Sequence, residues 1–198
     1  TGNYFVIEAD EYDHMFLGLN PGIILITNVE YDHPDCFPTP ESYIEDFQKF
    51  LQRVKPNGLI VTGFECAAKL DFNKNLPDGA KVVTYGFEEN ADYRAINLKV
   101  NTIGGMTFEI VEKNQAKTLT TVSLQIPGEH NVLNALGVIA TLHQMRTNVQ
   151  VAAQSLSDFE GTGRRFDVIG EVCGITIIDD YAHNPTKIAA TLAAARSR

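Results

Sequence analysis

Two apolar runs constrain this chain more than any other stretch: Tyr4-Phe5-Val6-Ile7-Glu8 and Gly22-Ile23-Ile24-Leu25-Ile26-Thr27-Asn28. Both are short, rich in β-branched residues and bounded by Pro, Gly or polar residues. That is the pattern of strands in a parallel sheet covered on both faces. The segment from Tyr12 to Leu19 is long enough for one short helical crossover between them. Each run leads into residues able to hold a metal ion: Ala9-Asp10-Glu11-Tyr12-Asp13 after the first, Val29-Glu30-Tyr31-Asp32-His33 after the second. Parallel strands would deliver both clusters to one sheet edge, the edge at which open α/β sheets bind ligands.

The chain beyond His33 repeats the strand–helix–strand pattern. Thr39-Pro40-Glu41-Ser42 has the chemistry of a helix start, with Thr39 as N-cap, Pro40 at the first helical position and Glu41 near the positive end of the dipole. Ile44, Phe47, Leu51 and Val54 then recur on one face, so the helix is expected to reach about Val54. Leu59 to Thr62 and Lys81 to Tyr85 read as further strands. The expected fold class is α/β: a wound, mostly parallel sheet with helices on both faces. Past Lys81 the style changes. Asp92 to Val100, Met106 to Val111 and Leu119 to Ile126 read as an attached antiparallel three-strand subsheet, turning at Gly104-Gly105. One helix follows from Pro127-Gly128-Glu129-His130-Asn131 to about Met145, and a second from Val149 to Leu156. After a Gly-containing linker come a hairpin, Phe166 to Val172 with Ile175 to Ile178, and a helix capped by Asn184 and opened by Pro185. One hairpin and one helix are too little for a stable domain. The chain is therefore expected to end inside a second domain, and its strand-like first residues, with no Met, to belong to a longer protein.

Composition excludes some functions. Sixteen Lys and Arg against 25 Asp and Glu give a formal net charge of -9. A nucleic-acid surface needs basic patches, so no nucleic-acid partner is expected. Three Cys, few and odd in number, argue against a disulfide scaffold and for a reducing, cytoplasmic setting. No apolar run has the length of a membrane span, so no membrane partner is expected. Nothing in the sequence fixes an oligomeric state.

Four groups could carry chemistry. Glu8 and His33 could share a divalent cation; magnesium prefers oxygen ligands and keeps several waters. Spacing alone leaves the plainer alternative standing, a loop-edge carboxylate and a loop-capping imidazole. Asn131 and Asn134 are three apart, and His130 and Asn134 four apart, so they share a face of one helical turn. Paired amides match the edge of adenine, although a cap at Asn131 and a solvated Asn134 would look the same. Arg164 and Arg165 could offer guanidinium forks to phosphate oxygens, or form a solvated basic pair. Asp179, Asp180 and His183 stand at a strand-to-helix turn, where an Asp accepts from ribose hydroxyls in nucleotide folds or caps a helix. The chain has no G-x-x-x-x-G-K-[ST] phosphate loop, so a complete nucleotide hydrolysis site is not expected in it.

Five motifs occur in one order: Val6-Ile7-Glu8-Ala9-Asp10-Glu11, Thr27-Asn28-Val29-Glu30-Tyr31-Asp32-His33, Gly128-Glu129-His130-Asn131-Val132-Leu133-Asn134-Ala135, Gly163-Arg164-Arg165-Phe166 and Asp179-Asp180-Tyr181-Ala182-His183. In this the chain resembles the Mur ligase family, the ATP-dependent amide-forming ligases of peptidoglycan precursor synthesis. The resemblance implies that residues 1–163 are the later part of a central ATP-binding domain and 164–198 the start of a C-terminal Rossmann-like domain. It implies ATP and magnesium as cofactors, with Glu8 and His33 as metal ligands. It implies Asn131 and Asn134 on adenine, Arg165 on the γ-phosphate and Asp180 on ribose; His130 and His183 lie within the matching motifs and are counted with the nucleotide-binding set. Catalysis would fall to Arg165, Glu8 and His33. Two forms, Glu8-Ala9-Asp10-Glu11 and Asp180-Tyr181-Ala182-His183, look most like the alanine-adding members, whose substrates are UDP-N-acetylmuramate and L-alanine. Phe47 stands where several members carry a modified lysine, which also fits the alanine-adding type. Asn184 stands where that type often has a second His. The alternatives are a recycling ligase that adds a tripeptide to the same sugar, a folylpolyglutamate or cyanophycin-type ligase, and a non-catalytic nucleotide-binding module.

Overall fold

The computed structural model describes residues 2–115 and 117–197. Among them, six strands lie in one sheet in chain order: β1 (Ile23–Ile26), β2 (Leu59–Gly63), β3 (Lys81–Gly86), β4 (Tyr93–Val100), β5 (Met106–Glu112) and β6 (Thr118–Ser123). β1 and β2 run parallel with Ile24 opposite Ile60, and β3 and β4 run parallel with Tyr85 opposite Tyr93. β4, β5 and β6 form the antiparallel meander expected from sequence, although β6 stops at Ser123, short of Ile126. β7 (Asp167–Val172) and β8 (Ile175–Asp179) make a separate antiparallel pair. The helices are α1 (Pro40–Leu51), α2 (Phe64–Ala67), α3 (Glu129–Gln144), α4 (Val149–Ser157) and α5 (Pro185–Ser197). No helix among the described residues is long and apolar enough to cross a membrane. The chain divides into two compact units, one up to Thr84 and one from Tyr85 onward.

In the first unit α1 begins as its sequence dictates. The Thr39 side chain accepts from the Ser42 amide, and the Ser42 hydroxyl accepts from the Thr39 amide, a reciprocal capping box with Pro40 inside it. The helix ends at Leu51, one turn before the expected Val54, which is nevertheless buried. Its inner face carries Tyr43, Phe47, Phe50 and Leu51 into a core with Phe16, Ile24, Ile26, Phe37 and Ile60. Phe16 meets Phe47 edge-on at 5.3 Å and stacks on Phe50 at 4.7 Å. Tyr43 packs against Phe37 and Phe47, each at 5.0 Å.

The first expected strand is not a strand. Tyr4 to Glu8 takes no part in any ladder, and Phe5 and Val6 are 88% and 91% exposed. Apolar β-branched sequence supplies the capacity to pair, but a strand exists only through a neighbour. The ladder neighbour of β1 is β2 alone among the described residues. The crossover is also tighter than expected: a 3-10 helix, Tyr12–Gly18, with Asp13 and His14 in left-handed backbone.

The second unit is built around β4 and α3. Tyr93 is buried, and its phenol oxygen lies 2.7 Å from His143 Nδ1 and accepts from Gln144 Nε2 at 2.6 Å. Gly137 lets α3 come close: a Cβ there would meet the Tyr85 ring at 2.8 Å. Asn148 caps α4 by accepting from the amides of Gln150 and Val151. Cys173 and Gly174, both with positive φ, turn the β7–β8 hairpin. Asn184 accepts from the Lys187 amide at the start of α5, with Pro185 at its first position, as expected.

Two packing outcomes can be measured by urea denaturation. Phe47→Ala should lower stability by about 3–5 kcal/mol, since it empties the centre of the aromatic cluster. Gly137→Ala should cost about 1–3 kcal/mol, because the methyl group must displace a buried ring.

Candidate functional site

Glu8, Ala9, Asp10, Glu11 and His33 line one open cavity of about 380 Å³. The carboxylate and the imidazole singled out from sequence thus reach one mouth, although the first gets there on an extended, unpaired segment. His33 itself is in left-handed backbone, its amide donating to Asp32 Oδ1 at 3.0 Å. The carboxylate that meets its ring is Glu11: Oε1 lies 3.6 Å from His33 Nε2. Tyr12 packs edge-on to the same ring at 5.1 Å. Tyr12 is held at both ends, its amide by Asp10 and its hydroxyl by Asp35, each at 3.0 Å.

One residue lining the cavity, Glu11, is held by α1. The Tyr43 hydroxyl donates to Glu11 Oε1 at 3.1 Å. Burial, then the Glu11 charge, pushes this phenol well above the ordinary tyrosine range, so it stays protonated. One turn along, Asp46 is only 3% exposed and meets both Lys49, at 2.7 Å, and His14 Nδ1. Burial acts to raise the Asp46 carboxyl, but the hydrogen bonds from Lys49 and His14 outweigh it and hold it below its ordinary value. Asp46 therefore ties the left-handed His14 turn to α1. Upstream of His33, Lys69 Nζ donates to the Val29 carbonyl at 2.6 Å, and the buried Cys66 thiol lies 3.8 Å from the Thr27 carbonyl oxygen.

No cluster of three His, Cys, Asp or Glu side chains among the described residues is arranged to hold a metal ion. Glu8 and His33 would supply two ligands at most. Magnesium commonly takes few protein ligands and completes its shell with waters and phosphate oxygens.

In the second unit the nucleotide-type residues have varied surroundings. Asn131 donates to the Pro127 carbonyl at 2.7 Å, which spends one amide hydrogen on the start of α3. Asn134, one turn on, is exposed. His130 packs over Gly128 and keeps an exposed edge. Desolvation of the rest of its ring lowers its pKa, while the charge of Asp180 pulls the other way. His130 and Asp180, far apart in sequence, are thus brought into electrostatic reach of each other. Asp180 accepts from the Phe166 amide with one oxygen and from the Ala182 amide with the other, each at 2.8 Å. It staples the Arg-Arg-Phe linker to the end of β8. Arg164 pairs with Asp179 at 3.6 Å, and the Arg164 and Arg165 guanidiniums lie 5.0 and 5.6 Å from the Tyr181 ring. Arg165 is otherwise open to solvent. His183 Nδ1 lies 3.0 Å from the Tyr181 carbonyl oxygen.

Sequence reasoning did not single out Tyr43, Asp46, His14 or Lys69. Glu11 entered it only as part of an acidic rim. The signal for Tyr43 and Asp46 was present in part, because both fall on the inward face of a helix whose start was already readable.

Residues 1–142 match the Mur ligase middle domain, and residues 164–198 match the Mur ligase, glutamate ligase domain. The chain belongs to the Mur ligase family. It is 40% identical to the UDP-N-acetylmuramate–L-alanine ligase of Roseiflexus sp. (strain RS-1), over 98% of this chain and 44% of that protein. It is 37% identical to the enzyme of the same name from Syntrophomonas wolfei, over 99% of this chain and 42% of that protein. Among solved structures it resembles UDP-N-acetylmuramate-alanine ligase MurC from Thermotoga maritima, with a TM-score of 0.73 and 27% identity over 93% of this chain and 40% of that one. A murein peptide ligase from Psychrobacter arcticus gives a TM-score of 0.63 and 25% identity, over 92% and 36%. The chain spans a little under half the length of the curated relatives it matches.

Phe47 now has a physical reading. It is buried between Phe16 and Tyr43 and serves the core.

Asp46 gives a pH prediction. Its folded carboxyl titrates below the ordinary value, so its contribution is complete above about pH 4 and is lost as pH falls through the lower folded value. Asp46→Asn should cost about 1–2 kcal/mol at pH 7, because Lys49 and His14 stay open to solvent. It should also flatten this part of the acid limb of a stability–pH curve measured by denaturant titration.

Proposed function

We propose that this chain is part of an ATP-dependent ligase that joins L-alanine to UDP-N-acetylmuramate in peptidoglycan precursor synthesis, working in the cytoplasm. The observation that carries this reading is the close likeness, over almost the whole chain, to curated ligases of that name. In this reading residues 1–163 are the later part of the central ATP-binding domain and 164–198 the start of the C-terminal domain.

Glu8 and His33 would hold a magnesium ion, which when bound would supply positive charge to offset that of the triphosphate. Asn131 and Asn134 face adenine, with His130 beside them, and Asp180 accepts from ribose, with His183 following in the same turn. The muramate carboxylate attacks the γ-phosphorus of ATP; an oxygen–phosphorus bond forms, the β–γ bridge breaks and ADP leaves. The amine of L-alanine then attacks the activated carbonyl and phosphate departs. Arg165 offers its guanidinium to the phosphoryl oxygens as their charge redistributes. Its loose stacking on Tyr181 leaves the donors free for that task.

The test is phosphate release by the full-length protein containing this chain, with ATP and UDP-N-acetylmuramate. L-alanine should support turnover; glycine, glutamate and the tripeptide L-alanyl-γ-D-glutamyl-meso-diaminopimelate should support far less. A preference for the tripeptide would assign the chain to the recycling ligases instead. Arg165→Ala should lower kcat by about 10²–10³-fold, in line with loss of a preorganised donor, with little change in melting temperature.

A further inference from the structure

Gly161, Arg164 and Phe166, three of the six residues that lead into β7, have positive φ, of 104°, 62° and 51°. Glycine reaches that conformation freely. Arg adopts it at a cost, and for a bulky Phe it is an outlier. Strained backbone persists only where its surroundings over-determine it. We propose that Asp180 is the latch that keeps this turn strained, and thereby a positioning residue for Arg165, which sits between the two strained side chains. The latch stands on geometry alone; its kinetic consequence rests on the reading of Arg165 as a donor to phosphoryl oxygens.

The turn is gripped on either side of Arg165 by the end of β8 and the residues after it. Asp180 accepts from the Phe166 amide with one oxygen and from the Ala182 amide with the other, each at 2.8 Å. The Arg164 carbonyl accepts from the Tyr181 amide at 2.8 Å. Asp167 accepts from the Arg164 amide at 3.1 Å, and the Arg165 amide donates to the Thr162 carbonyl at 3.1 Å. The Arg165 guanidinium lies 5.6 Å from the Tyr181 ring, so the segment that locks its backbone also supplies the face on which its side chain rests. Phe166 is 8% exposed, which holds the ring but leaves the amide dependent on Asp180. Without that bond Phe166 is free to leave the left-handed region and carry Arg165 off the Tyr181 face. Asparagine cannot stand in for the carboxylate. It has one acceptor oxygen, and its NH₂ would meet the second amide donor to donor.

The test is limited trypsin digestion of the full-length protein containing this chain. Cleavage of the Arg165–Phe166 bond is followed by mass spectrometry, with thermal melts to separate local opening from global unfolding. Such cleavage tracks the population of the locally opened form. Asp180→Asn should speed it by about tenfold or more, the size of a lost hydrogen bond to a charged group. Arg164→Asn relieves backbone strain, because Asn tolerates the left-handed region, and it does so at a side chain that is 65% exposed. Added to Asp180→Asn, it should restore part of the protection. In the ligase assay Asp180→Asn should lower kcat at saturating ATP by about 10²-fold, the scale of a small misplacement of a reacting group, and Arg164→Asn should recover part of that loss. Unchanged cleavage in Asp180→Asn overturns the latch, since packing of the Phe166 ring would then suffice. Faster cleavage that Arg164→Asn fails to slow overturns the strain. A raised KM for ATP with kcat intact overturns the positioning role and leaves Asp180 as a nucleotide contact only. A wild-type protein without ligase turnover removes the ligase reading, while the proteolysis still decides the latch.

Discussion

The first unit depends on one side chain doing two incompatible-looking things. Tyr43 buries an aromatic ring in the core under α1 and presents its hydroxyl to Glu11, which lines the Glu8–His33 cavity. An aromatic body with a polar tip is the residue type that can do this without stranding a buried donor. Because the ring is packed on two neighbours, the hydroxyl has little freedom, and the position of Glu11 follows from the packing of the core. Asp46 repeats the device one turn later, with a buried carboxylate gripping the His14 turn from the same helix.

Much of this architecture could be read from the chain itself, for identifiable reasons. The start of α1 was visible because capping chemistry is local: Thr39, Pro40 and Ser42 act within one turn. The Asn184 cap was visible for the same reason, and the meander because short turns join its strands. The unpaired Tyr4 to Glu8 segment was misread because pairing is not local, and a β-branched apolar run carries no information about whether a neighbour stands alongside. The left-handed turn at Asp13 and His14 was likewise invisible, since it is maintained by Asp46, 32 residues from His14 in sequence. At the site the same division holds. Glu8 and His33 could be paired because each follows its own apolar run, whereas Glu11 and Tyr43 could not, because their contact spans a helix and a turn.

In the second unit one motif ties several segments together. Asp180 is stapled by two backbone amides, and each carboxylate oxygen keeps a lone pair beyond the bond it accepts. Its place at the end of β8 fixes where Phe166 enters the core, and with it the root of Arg165. Tyr181 then offers a face to both guanidiniums, a soft restraint that limits their wandering without occupying their donors.

The left-handed residues Asp13, His14 and His33 constrain what could replace them. Asp13, His14 and His33 all adopt a conformation that glycine reaches freely and that Asp and His tolerate better than most residues. Selection for heat resistance alone would be free to drift toward glycine or asparagine at exposed Asp13. It would meet resistance at His14 and His33, where backbone relief would cost the grip on Asp46 and the contact with Glu11.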